Sequence, residues 1–117
     1  MRTQAGVRLA DLTTLRVGGP AAAYVEVDTE DDLIAAVRDA DASGTPALVL
    51  GGGSNLLVAD EGYAGTVVAV RTRGVEVSLD SCAGVWLEVA AGEPWDELVA
   101  RAVAEGWVGI EALSGIP

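Results

Sequence analysis

The sequence predicts an α+β domain, and three observations carry the prediction. A β-rich run, a helical apolar pattern and a second apolar run follow one another between Ala22 and Leu50, the order of a βαβ unit. Three further strand candidates come later, and a short turn-rich segment between the last two makes them antiparallel neighbours. Three glycines, Gly51-Gly52-Gly53, stand directly behind the second apolar run, at what would be a strand's carboxyl end.

Each element has a local cause. Ala22 to Val27 is rich in β-formers and ends at Asp28-Thr29. Leu33, Ile34, Val37 and Ala40 then recur at helical spacing. Thr29 with Asp32 resembles a capping box, and Glu30, Asp31 and Asp32 suit the positive end of a helix that should stop near Ser43-Gly44. Thr45-Pro46 leads into a buried strand, Ala47 to Leu50. Asp60 to Gly65 reads as a turn, followed by strands at Thr66 to Val70, Val75 to Leu79 and Val85 to Ala90, the last two joined by Asp80-Ser81-Cys82-Ala83-Gly84. Gly92-Glu93-Pro94 opens a second helix with Trp95, Leu98, Val99, Ala102 and Val103 on one face, and Gly106 ends it. The apolar, glycine- and proline-containing close from Leu113 to Pro117 is unlike a polar terminus and suggests the front part of a longer polypeptide.

Composition narrows the function. Half of the 117 residues are apolar, enough for a real core, but phenylalanine is absent, so that core is built from alanine, valine and leucine. Seven arginines, no lysine and eighteen acids leave a net charge of −11, which argues against nucleic acid or an anionic membrane as partner. The single cysteine, Cys82, can form no internal disulfide, and no metal-ligand spacing is present. The first six residues lack the apolar core of a signal peptide, so the expectation is a soluble, cytoplasmic chain.

The glycine run is the strongest chemical signal. Without Cβ atoms, successive N–H groups can converge on an anion at close range, and a chain poor in cations must meet a phosphate mostly with backbone dipoles. A Walker loop is excluded because it needs a lysine. A Rossmann fingerprint fits Gly51 and Gly53 but meets Leu56 at its third glycine position, with no helix following. A tight turn without ligand is the other reading.

Six segments, read in order, decide between these. They are Thr13-Thr14-Leu15-Arg16-Val17-Gly18-Gly19-Pro20-Ala21, the acid-capped helix, the strand into Gly51-Gly52-Gly53-Ser54-Asn55-Leu56-Leu57, Gly65-Thr66-Val67-Val68, Ala90-Ala91-Gly92-Glu93-Pro94-Trp95, and Gly109 to Pro117. Together they resemble the amino-terminal part of the UDP-N-acetylenolpyruvoylglucosamine reductase (UDP-N-acetylmuramate dehydrogenase) family, over nearly the whole chain. The resemblance implies an FAD-binding fold of the vanillyl-alcohol oxidase (PCMH) type. Residues 1–117 would be an incomplete FAD-binding domain, with a first subdomain at about 20–70, the beginning of a second at about 71–117, and the substrate-binding domain absent. It further implies a cytoplasmic flavoenzyme of peptidoglycan synthesis that reduces a UDP-sugar enolpyruvyl ether with NADPH as electron donor.

Residue by residue, the resemblance places Gly51, Gly52, Gly53, Ser54, Asn55 and Leu56 against the FAD diphosphate. Ser114, Gly115, Ile116 and Pro117 would begin a second flavin-lining segment. Thr14 to Gly19 would lie near the flavin, with Arg16 as a cation or simply a surface residue. The family's proton-donating serine and its assisting glutamate and arginine lie downstream of the Ser-Gly-Ile-Pro motif, so no catalytic residue is assigned here. Another flavin oxidoreductase of the same fold class, or a non-catalytic domain retaining the fold, stays open; the absence of histidine disfavours relatives that attach FAD through that residue.

Other residues have plainer readings. The acids at each helix start are cap charge and solvated surface, Trp95 and Trp107 are packing groups, and Cys82 has no cationic neighbour to activate its thiol. Arg71 and Arg73 could meet a phosphate, but solubility is the simpler role.

Overall fold

A computed structural model describes residues 1–80 and 84–116. The elements are β1 (Arg2–Gln4), β2 (Ala21–Val27), α1 (Glu30–Ser43), β3 (Ala47–Leu50), β4 (Tyr63–Val70), β5 (Val75–Asp80), β6 (Gly84–Val89) and α2 (Trp95–Ala104), with 3₁₀ turns at Leu9–Leu12 and Glu111–Leu113. The expected connection around Cys82 lies outside the described residues, as does Pro117.

The first four strands form one sheet in the order β1-β2-β4-β3. β2, β4 and β3 are parallel, so their carboxyl ends share one edge, while the unforeseen β1 pairs antiparallel to β2. β2 and β3 are the two strands of the expected βαβ unit, but β4 is inserted between them and takes the central place. It begins at Tyr63, not Thr66, because Tyr63 N–H donates to the Pro20 carbonyl (3.0 Å) and draws the supposed turn into the ladder.

Both faces of this sheet are covered, so β4 alternates between two cores. Val68 and Val70 pack with Val25, Val27 and Ala36 under α1. Val67 and Ala69 pack with Leu9, Ala21, Tyr24 and Leu50 on the other face, closed by Leu12, Leu56 and Val58. Ala21 and Tyr24 share a face despite an odd spacing; the register shift between Ala21 and Ala23 absorbs the extra residue.

α1 starts and stops where its caps require. Thr29 Oγ1 accepts from Asp32 N–H (3.2 Å), and Gly44, at φ 66°, closes the helix with its N–H on the carbonyls of Ala40 and Asp41. Its inward face is the buried Ala36 and Ala40, which allow close approach to the sheet, with the partly buried Leu33; Ile34 faces solvent, contrary to the expected stripe. In α2, Leu98, Val99 and Ala102 are buried, but Val103 is 59 % exposed and does not belong to that face. β3 also departs from expectation, because it is the sheet's edge strand and Val49 is 61 % exposed. β5 and β6 form the antiparallel pair the sequence predicts, in register from Val75 opposite Val89 to Asp80 opposite Gly84.

Candidate functional site

The glycine run leaves the carboxyl end of β3, and its three members have different surroundings. Gly53 is buried at φ 73°, and a Cβ there would collide with the Leu12 carbonyl. Its own carbonyl accepts from Thr14 N–H (3.0 Å), tying the run to the segment after the first 3₁₀ turn. A Cβ on Gly51 or Gly52 would meet nothing within 4 Å. Those two glycines leave open space at the strand ends, where parallel sheets place ligands.

No acceptor among the described residues takes the N–H groups of Gly52, Gly53, Ser54 or Asn55. Arg71, at the end of the neighbouring β4, holds the loop from the side: its Nη1 donates to the Gly51 carbonyl (2.9 Å) and to the Val70 carbonyl (3.1 Å). The Arg71 backbone is itself pinned, N–H to the Val27 carbonyl (2.8 Å). Among the described residues Arg71 has no ion pair, whereas Arg73 is 3.3 Å from Glu93, which also accepts from Gly74 N–H (2.7 Å).

Opposite the loop stands the segment that opens α2. Gly92 N–H donates to Thr72 Oγ1 (3.2 Å), and a Cβ on Gly92 would strike the Thr72 backbone, so only glycine permits this approach. Asp96 Oδ1 accepts from Gly115 N–H (2.7 Å) and Ser114 Oγ (3.2 Å), and Trp95 Nε1 donates to the Leu113 carbonyl (2.7 Å). The first turn of α2 thus carries the 113–115 segment. Between the two sides is a cleft of about 650 Å³, lined by Thr14, Gly51, Gly52 and Ser54 from one side and by Gly92, Glu93, Pro94, Trp95, Asp96, Gly115 and Ile116 from the other, with Arg71 and Arg73 also in its lining.

The cleft brings together Gly51, Gly52, Ser54, Gly115 and Ile116 of the residues expected from sequence. Gly53 lies beneath the loop, and Leu56, partly buried, packs against the core cluster that contains Leu9 and Leu50. Asn55 and Ser114 are outside the cleft lining, the latter hydrogen-bonded to Asp96. Arg16 sits at φ 56°, a left-handed conformation rare for a side-chain-bearing residue, and does not line the cleft.

Sequence reasoning missed the roles of Arg71 and Asp96. The available signal was an arginine at the end of a strand and an acid at a helix start; neither reveals which backbone it will reach. Trp95 is only half-buried and walls the cleft, so it is more than a packing group. Trp107 instead carries Arg101 over its ring, 5.4 Å from the centroid.

The residues present fit an FAD diphosphate. They offer unengaged N–H donors, two glycines with open space where side chains would stand, and a guanidinium free of acidic partners among the described residues. A parallel-strand edge with this cradle, facing a helix-borne wall, defines an FAD-binding α+β fold of the vanillyl-alcohol oxidase (PCMH) type. The model of a family described as "FAD binding domain" matches residues 21–117, and the chain belongs to that family.

Among curated relatives, the UDP-N-acetylenolpyruvoylglucosamine reductase of Cutibacterium acnes is 55 % identical over 111 residues, covering 95 % of this chain and 30 % of the relative. The Thermobifida fusca protein of the same name is 57 % identical over 111 residues, covering 95 % and 31 %. The crystal structure of UDP-N-acetylenolpyruvylglucosamine reductase from Thermus caldophilus superposes at a TM-score of 0.72 with 38 % identity, over all of this chain and 39 % of that one. The chain spans about three tenths of the length of the curated relatives it matches.

Proposed function

We propose that this chain forms the diphosphate-gripping part of the FAD site in an oxidoreductase that reduces UDP-N-acetylglucosamine enolpyruvate to UDP-N-acetylmuramate. NADPH is the proposed electron donor, and the step belongs to cytoplasmic peptidoglycan synthesis, hence to cell-wall formation and cell division. The observation that carries the reading is the cleft between Gly51, Gly52 and Ser54 and the opposed Gly115 and Ile116. The identities with reductases of that name supply the substrate class.

Each residue has a task in this reading. The N–H groups of Gly52 and Ser54, which line the cleft, would donate to diphosphate oxygens in place of a lysine, and Gly51 and Gly52 would let the ligand approach the main chain. Arg71 adds one positive charge in a chain of net charge −11. Asp96 and Trp95 hold the 113–116 segment as the opposite wall, and Trp95 and Pro94 exclude water from it. The chemistry a flavin supplies when bound is hydride relay between a nicotinamide and the enol ether. No residue of this chain is assigned as the proton donor. No residue of this chain is assigned to the substrate.

The test is to mix the purified chain with FAD, NADPH and the enolpyruvyl UDP-sugar, following flavin fluorescence and NADPH oxidation together. Flavin binding without NADPH oxidation is the expected result. Absence of binding would count against the FAD site, and robust turnover would show that the chain carries a proton donor after all. No helix of the described residues is long and apolar enough to cross a membrane.

A further inference from the structure

We propose that Arg71 is the positioning residue of the glycine loop: by holding the Gly51 carbonyl it sets the direction of the Gly52 N–H before any ligand arrives. The proposal rests on the FAD reading of the cleft and adds to it the origin of the loop's shape. The Gly51 carbonyl and the Gly52 N–H belong to one planar trans peptide unit and point in opposite directions, so a bond to the first aims the second. Glycines restrict their own backbone least of all residues, and Gly51 and Gly52 have no neighbouring atoms within 4 Å of a Cβ position to confine them. What confines them is at the two ends of the run. Gly53 is held by Thr14 N–H on its carbonyl, and Gly51 by Arg71 Nη1 at 2.9 Å.

The clamp is built on a fixed base. Arg71 follows the last residue of β4, its N–H is bonded to the Val27 carbonyl, and the same Nη1 that reaches Gly51 also donates to the Val70 carbonyl. The guanidinium therefore bridges the ends of two adjacent parallel strands, β4 and β3, across the edge where the ligand sits. Its charge remains available, because among the described residues no carboxylate lies within ion-pair distance, and Arg71 lines the cleft. Arg73, two residues on, is drawn to Glu93 instead.

Compare the full chain with Arg71→Ala and Arg71→Lys by two measurements. The first is ¹⁵N relaxation of the ligand-free proteins. In Arg71→Ala the order parameters of Gly51, Gly52 and Ser54 should fall from the rigid range near 0.85 toward about 0.6, while amides of β2 and β4 stay rigid and show that the fold is intact. The second is FAD titration at two salt concentrations. Arg71→Ala should weaken binding about tenfold or more and flatten its salt dependence; Arg71→Lys should restore the salt dependence but only part of the affinity. Unchanged loop amides in Arg71→Ala would overturn the proposal whether or not FAD binds. A loosened loop with unchanged FAD affinity would overturn the role toward the cofactor. A wild-type chain that binds no FAD would overturn the FAD reading, with the relaxation comparison still deciding the clamp.

Discussion

A methyl group added to Gly53 would meet the Leu12 carbonyl in a left-handed backbone conformation, whereas one added to Gly51 or Gly52 would meet no atom within 4 Å. Gly53→Ala should therefore cost about 1–3 kcal/mol of stability, read from denaturant unfolding. Gly52→Ala should change stability by no more than about 0.5 kcal/mol and yet weaken FAD binding, because the new methyl would stand in the cleft proposed for the cofactor. A second residue with a legible consequence is Tyr24. Burial, followed by its hydrogen bond to Glu26 (3.1 Å), raises its phenol above the ordinary value of 10.0. Because the folded state holds this proton more tightly than the unfolded chain, the stabilisation is fully present below about pH 10 and is lost as pH rises through the raised folded value. Alkaline unfolding monitored by circular dichroism should show that loss, and Tyr24→Phe should flatten the profile in this range.

At the scale of elements, caps and chain breaks behave as their side chains dictate, and faces do not. Thr29→Ala removes the acceptor for Asp32 N–H and should cost about 1 kcal/mol, a fall of roughly 4 °C in Tm by calorimetry. Asp96→Ala should leave α2 in place but release Gly115 N–H and Ser114 Oγ, so that the cleft loses its far wall and FAD binding weakens at nearly unchanged Tm. The boundaries of α1, from Thr29 to Gly44, were readable because a cap is a contact between residues three or four apart. Ile34 and Val103 were misplaced because an apolar stripe wider than the contact surface does not say which of its edges the partner covers. Val49 failed for a related reason: a run of four apolar residues reads as a buried strand, and only the sheet order makes it an edge.

The whole molecule is extended, with principal extents of 50 × 30 × 18 Å and a radius of gyration of 16.7 Å, against about 13 Å for a compact domain of this length. The cleft lies where the sheet's carboxyl edge faces the α2 segment, so ligand occupancy should couple the two sides. FAD at a hundred times its Kd should stabilise the native chain by about 2.7 kcal/mol, seen as a concentration-dependent rise in Tm. What the sequence determined by itself is local: the helix limits, the antiparallel β5–β6 pairing, the glycine run behind a strand, and, through six ordered motifs, the FAD-binding family. The first three rest on capping geometry, residue period and backbone freedom, all written within a few positions of one another; the family rests on a resemblance spread over nearly the whole chain. Only the tertiary structure decided that β4 enters between β2 and β3, and that insertion sets Arg71 beside Gly51, twenty residues away in the chain. It also decided that Asp96 reaches Gly115 and that Gly53 serves the fold while its neighbours face the cleft. Such contacts are made by strand order and helix placement, which depend on how two cores pack on one sheet, and no short-range pattern in the chain encodes that choice.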